Sequence, residues 1–139
     1  HVPLICNWPG VIPAGKVCAD LIDSTDFLPT MCEAAGAKVP GELKLDGRSF
    51  LAQLRGEKGS PREWFYCWYA RDGGAEATHE FAATHKYKLY RTGDLYDWQA
   101  DPLEKKAIAK DQLPPESRAA RRMLQAALDQ YRDARPADI

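Results

Sequence analysis

A chain of 139 residues with 45% hydrophobic and 28% charged side chains is one-domain sized and globular in composition, which excludes disordered, collagen-like and low-complexity classes. Nineteen basic against twenty acidic residues leave a formal charge of -1, with six and seven of them in residues 1–60 and thirteen of each in 61–139, so nothing calls for a nucleic-acid partner. The longest apolar run, Trp64 to Ala70, is seven residues against the roughly 20 that cross a bilayer as a helix, so no membrane span is expected.

Val2 to Cys6 is a short apolar run closed by Trp8-Pro9-Gly10, which reads as a buried strand leaving its sheet at a turn. From Asp23 the pattern turns helical, with Leu28, Met31, Cys32 and Ala35 on one face and Ser24, Thr25 or Asp26 available to cap the first amides. Pro29 fits only the first turn, where its missing N–H has no intrahelical partner, and Gly36 ends the helix. Leu45-Asp46-Gly47 is a turn, and Ser49 to Leu54 is a short helix ended by Gly56. The polar stretch Glu57 to Arg62, with Gly59-Ser60-Pro61 inside it, is the best internal boundary.

Beyond it the text becomes β. Trp64 to Tyr69 is aromatic-rich, Asp72-Gly73-Gly74 is a turn, Glu80 to Thr84 is a second strand, and Lys86 to Leu89 alternates polar with apolar as a half-exposed strand does. Thr92-Gly93-Asp94 turns the chain into Leu95 to Trp98, giving three or four antiparallel strands in a meander. Asp101-Pro102-Leu103-Glu104 reads as a helix start, with Asp101 as cap, Pro102 at the first position and Glu104 three residues after the cap. The longest helix runs from Glu116 to about Arg132. Its apolar stripe of Ala120, Met123, Leu124, Ala127, Leu128 and Tyr131 is suited to covering one face of the small sheet. The fold class is therefore α+β.

Candidate chemistry is sparse. Cys6, Cys18, Cys32 and Cys67 are scattered with no Cys-x-x-Cys pair, and His79, His85 and Cys67 match no metal-ligand spacing, so no metal site and no catalytic residue is assigned. No nucleophile signature such as Gly-x-Ser-x-Gly is present. Arg118, Arg121 and Arg122 share their helix with Glu116 and Asp129 and read as a solvated face rather than an anion site. The aromatic strand reads as core packing against the long helix rather than a stacking platform. The one polar stretch with binding potential is the glycine-rich turn flanked by Arg71, Asp72, Thr78, His79 and Glu80. A guanidinium fork suits an oxyanion, and an imidazole donates or accepts near neutral pH. A plain hydrophilic hairpin tip is the alternative.

Five segments, in order and register, carry a family resemblance: Val2-Pro3-Leu4-Ile5; Trp8-Pro9-Gly10 with Ile12-Pro13-Ala14-Gly15; Asp26-Phe27-Leu28-Pro29-Thr30 running to Ala35-Gly36; Leu45-Asp46-Gly47-Arg48-Ser49; and Tyr87-Lys88-Leu89 followed by Leu95-Tyr96-Asp97 and Asp101-Pro102-Leu103-Glu104-Lys105. Over about residues 1–110 the chain resembles the C-terminal half of the formylglycine-dependent sulfatases of the alkaline phosphatase superfamily, in the flavour of arylsulfatases and N-acetylgalactosamine-6-sulfatases. The resemblance implies that residues 1–58 end the α/β catalytic domain and residues 62–139 form the C-terminal subdomain, a small antiparallel sheet with a packed helix. It implies sulfate-ester hydrolysis by the full-length parent on an aryl or sugar sulfate, with formylglycine attacking sulfur, calcium and cations stabilising the sulfate oxygens, and a general acid assisting the leaving alcohol. Both calcium ligands and nucleophile precede the matched stretch in that family. None of the four cysteines here stands in the short motif, with Pro or Ala two residues on and Arg two beyond, that the modification requires.

The resemblance therefore makes the chain an inactive fragment whose partner is the N-terminal catalytic domain of the same protein. Its subdomain loops would wall the substrate cleft, which makes Arg71 and His79 substrate-binding candidates. An extracytoplasmic location, whether periplasmic, secreted or lysosomal, is the family-level expectation. The competing readings are a stand-alone carbohydrate-binding or assembly module and part of a related phosphodiesterase. A strand at Val2 to Cys6 with open edges would also favour a homo-oligomer of the isolated chain.

Overall fold

The computed structural model describes residues 2–70 and 78–134, and the chain divides into two compact units, His1–Arg62 and Glu63–Ile139.

The first unit is organised by polar contacts around the start of a helix. Asp23 accepts the Thr25 amide at 2.9 Å and its own amide donates to Asp26 Oδ2 at 2.8 Å. This reciprocal cap opens a single 3-10 turn, Ser24–Asp26, which leads into α1, Phe27–Ala34. Pro29 lies in the first turn, and Gly36 at φ +65° terminates the helix in the left-handed region. The Thr30 hydroxyl, one turn on, donates back to the Asp26 carbonyl at 2.6 Å and accepts the Phe50 amide at 3.1 Å. The Arg48 amide donates to Asp26 Oδ1 at 2.8 Å, Arg62 Nε to Oδ2 at 2.9 Å, and a terminal guanidinium nitrogen to Oδ1. Gly47 makes this convergence possible, since a Cβ there would lie 1.9 Å from the Thr25 carbonyl oxygen. Phe50 and Leu51, at the head of α2 (Leu51–Leu54), complete a small core with Leu21, whose backbone bridges Arg62.

Two expectations fail here. Val2 to Cys6 forms no strand: Val2 is 92% and Ile5 89% exposed. An apolar run becomes a strand only where another strand offers its backbone groups, and among the described residues of this unit none does. The edge from which a homo-oligomer was expected is therefore not formed. The face of α1 also differs. Leu28 and Met31 point outward at 49% and 61% exposure while Thr30 is buried, on the side where Asp26 and Thr30 are tied to Arg62, Arg48 and Phe50.

The second unit is the expected α+β arrangement. β1 (Phe65–Ala70), β2 (Thr78–Ala83), β3 (Tyr87–Tyr90) and β4 (Leu95–Asp97) form one antiparallel sheet in sequence order. The expected Asp72-Gly73-Gly74 turn lies outside the described residues. In the register, Ala82 stands opposite Leu89 and Leu89 opposite Leu95, which places these residues and Tyr87 on one face. There α3 (Pro115–Gln130) lays down Leu124, Ala127 and Leu128, and Leu113 precedes it, closing the hydrophobic core. The Tyr66 and Tyr131 rings stack at 4.5 Å and Trp64 meets Tyr131 edge-on at 6.3 Å. The buried Glu80 carboxylate is met by Arg91 Nε at 3.3 Å and by the Tyr66 hydroxyl at 3.3 Å.

The expected helix at Asp101 does not form. The Glu104 amide donates to the Asp101 carbonyl at 3.0 Å, the Lys106 amide to Asp101 Oδ2 at 2.9 Å, and Glu104 adopts φ +51°. A left-handed residue breaks the helical path, and the contacts that hold it there come from the sheet.

Asp26 supplies a pH prediction. Burial pushes its carboxyl upward, but the Arg62 guanidinium and the Arg48 and Asp23 amides outweigh it, and the group lies below its ordinary value of 3.8. A depressed carboxylate stabilises the fold fully above that ordinary value and loses its contribution as pH falls through the lower, folded-state value. The protection of the Arg48 and Phe50 amides, measured as exchange relative to the unfolded chain at the same pH, should therefore fall as the pH drops below the ordinary value. Asp26→Ala, which strands Arg62 in a buried site, should lower stability by about 3–5 kcal/mol in urea denaturation at neutral pH.

Candidate functional site

The sheet face turned away from α3 gathers the chemistry. Strict alternation brings Phe65, Cys67 and Tyr69 of β1, His79 and Phe81 of β2, Lys88 and Tyr90 of β3, and Tyr96 of β4 to this side. The aromatic strand β1 is thus shared: Trp64 and Tyr66 pack towards the helix as expected, whereas Phe65 joins the opposite face, with Phe81 at 6.0 Å and Trp98 at 6.1 Å. The Trp98 indole donates to the carbonyls of Thr84 and His85 at 3.1 and 3.0 Å, which fixes the ring just past the end of β4.

At the centre lies Lys88. Its ammonium sits 4.1 Å from the Phe81 ring centroid, 4.7 Å from Tyr90 and 5.7 Å from Trp98, an arrangement that attracts a cation through the rings' quadrupoles. It donates to Glu104 Oε1 at 2.7 Å, and the Tyr90 hydroxyl donates to Glu104 Oε2 at 2.6 Å. Burial pushes the Lys88 ammonium towards losing its proton, but the hydrogen bonds to Glu104 and Tyr90 prevail and hold it above the ordinary lysine value. Burial together with the Glu104 carboxylate raises the Tyr90 phenol. At neutral pH the trio is therefore a cation, an anion and a neutral donor, with each carboxylate oxygen engaged by one of them.

Of the two substrate-binding candidates, His79 is the exposed second residue of β2, across from Tyr69, with its ring 6.5 Å from Tyr90. Arg71 lies outside the described residues. Of the three helical arginines, Arg118 and Arg122 are exposed, as a solvated face requires, and Arg121 is half-buried; Arg118 Nε donates to the Leu113 carbonyl at 2.7 Å and Arg121 to that of Gly93 at 2.9 Å. The four cysteines are free thiols. Among the described residues no three His, Cys, Asp or Glu side chains converge, so the donor set present does not fit a calcium site. No helix among the described residues is long and apolar enough to cross a membrane. The Lys88–Glu104–Tyr90 cluster escaped the sequence reading. The alternation of residues 86–89 places Lys88 opposite Tyr87 and Leu89, but nothing local says that Glu104 turns back to meet it.

A four-stranded antiparallel meander backed by a C-terminal helix is the architecture of a sulfatase C-terminal domain. The chain belongs to the family described as N-sulphoglucosamine sulphohydrolase, C-terminal, which matches residues 1–134. It is 28% identical to an N-acetylglucosamine-6-O-sulfatase of Bacteroides thetaiotaomicron, across 98% of this chain and 26% of the relative. It is 32% identical to a Delta 4,5-hexuronate-2-O-sulfatase of the same organism, across 80% of this chain and 24% of the relative. A solved structure, described as being in complex with its substrate D-glucosamine-2-N,6-O-disulfate, superposes with a TM-score of 0.73 at 25% identity, covering 93% of this chain and 28% of its own. The chain thus spans about a quarter of the length of these proteins.

The Lys88 cluster makes a stability prediction. Lys88→Met keeps an apolar stem among the rings but leaves the Glu104 carboxylate without its cation. Stability should fall by about 2 kcal/mol in urea denaturation, with Lys88→Arg losing less because it restores the charge.

Proposed function

We propose that this chain is the C-terminal part of a sulfatase that hydrolyses sulfate esters of sugars, in which it serves as scaffold and as one wall of the substrate cleft. The observation that carries the reading is the match along nearly the whole chain to a family and to relatives whose names specify sulfated glucosamine and hexuronate substrates. On this reading residues 1–58 complete the α/β catalytic domain and residues 62–139 are the C-terminal subdomain. The partner is the N-terminal catalytic region of the same protein, and the enzyme works outside the cytoplasm. Sugar sulfates are favoured over aryl sulfates because the relatives matched over most of this chain are named for sugars.

The reactive centre belongs elsewhere in the parent. No cysteine here has the sequence context for conversion to formylglycine, and the described residues do not converge on a calcium site, so no chemical step is derived from this chain. Its own contribution is recognition. The exposed imidazole of His79 can donate to or accept from a sugar hydroxyl or a sulfate oxygen, and the guanidinium of Arg71 can pair with an anionic substituent.

Two outcomes test this. The full-length parent should release sulfate from N-acetylglucosamine 6-sulfate while residues 1–139 alone release none, and turnover by the chain unaided would overturn the proposal. In the parent, His79→Ala and Arg71→Ala should each raise KM about tenfold with kcat little changed, as expected for removal of one polar contact made equally in ground and transition states. Unchanged KM for both would retire the cleft-wall role.

A further inference from the structure

We propose that Glu104 is a positioning residue for His79, acting through Tyr90, so that the segment following β4 sets how the far end of the β1–β2 hairpin presents its imidazole to a sugar sulfate. The inference rests on the reading of His79 as a substrate contact and adds to it a second, remote segment of chain.

His79 is exposed, and an exposed imidazole on a strand samples several rotamers unless a neighbour restricts it. The neighbour is Tyr90, diagonal to His79 on the same sheet face, whose ring stands 6.5 Å away at 64° to the imidazole plane. Tyr90 can serve as a wall because its own orientation is fixed at every side. Phe81 packs against it at 5.6 Å and Tyr96 meets it edge-on at 5.8 Å. At the far end of the ring the hydroxyl is held by Glu104 Oε2 at 2.6 Å. Glu104 in turn cannot swing away, since its other oxygen is held at 2.7 Å by Lys88, itself lodged between Phe81, Tyr90 and Trp98.

The backbone adds an independent observation. Among the described residues Glu104 is the one non-glycine with positive φ, at +51°, a region that L-residues enter at a cost and keep only when the surroundings dictate it. A glutamate placed merely to cover the aromatic face could do so from an ordinary conformation. Here the strained backbone brings both carboxylate oxygens onto partners in β3, sixteen and fourteen residues away in sequence.

A double-mutant cycle in the full-length parent separates positioning from simple stabilisation, with KM and kcat for N-acetylglucosamine 6-sulfate measured on His79→Ala, Glu104→Ala and the pair together. Positioning predicts that Glu104→Ala raises KM about fivefold with kcat within about twofold, and that in the His79→Ala background the same change adds less than about twofold, because the group it positions is gone. An equal multiplication of KM in both backgrounds, or a fall in kcat with KM unmoved, overturns the inference while leaving the His79 contact intact. An unchanged KM for His79→Ala alone overturns the contact reading and the inference with it. Should Glu104→Ala fail to fold by circular dichroism, Tyr90→Phe carries the same cycle, since it retains the ring and loses only the hydroxyl bond to Glu104. Coupling to His79 supports the inference, and additivity overturns it.

Discussion

The antiparallel register of the meander is the constraint from which the second unit follows. With Ala82 across from Leu89 and Leu89 across from Leu95, the sheet residues that pack under α3 fall on one side, and Phe81, Ala83, Lys88, Tyr90 and Tyr96 fall on the other. A slip of one residue would exchange the two sets. It would set the Lys88 charge against Leu124 and Leu128 and turn Leu89 away from them. Burial of that stripe therefore selects the pairing, and the pairing assembles the aromatic face.

Each unit also holds a carboxylate that ties together segments distant in sequence: Asp26 with Arg48 and Arg62 in the first, Glu104 with Lys88 and Tyr90 in the second. Removing such groups from water is costly, and they persist because every oxygen finds donors. The two differ in what they organise. Asp26 replaces a hydrophobic centre in a unit whose apolar core is little more than Leu21, Phe50 and Leu51. Glu104 adds nothing to the core beneath α3 and instead orders the surface on the opposite side of the sheet.

Where a sequence pattern reflected a single element burying a single face, it was readable. The stripe from Ala120 to Tyr131 and the alternation at 86–89 correspond directly to α3 and β3, and Thr92-Gly93-Asp94 marks the turn from β3 to β4. Patterns that needed a second partner misled. Val2 to Cys6 has the composition of a buried strand, yet composition cannot supply a neighbouring strand. The Asp101-Pro102-Leu103-Glu104 signature has every local feature of a helix start, yet the bonds from Lys88 and Tyr90 draw Glu104 into a conformation that stops one. In α1 Leu28 and Met31 face outward in this chain, and polar ties from Asp26 and Thr30 hold the other side of the helix. The family was legible because five motifs recur in order. His79 could be singled out from its place beside a glycine-rich turn, whereas its surroundings depended on a residue twenty-five positions downstream.

Gly47 has a consequence out of proportion to its size. Because the Thr25 carbonyl occupies the space where a methyl group would go, the closeness of two strands of chain is set by a lone hydrogen atom, and Arg48 inherits its aim at Asp26 from that closeness. Any larger substituent would act as a wedge, prising the loop from the helix entrance and loosening the ties to the Arg48 and Phe50 amides together. The site is thus a mutational choke point: a harmless-looking exchange on a surface turn would undo an arrangement assembled by residues that remain individually intact.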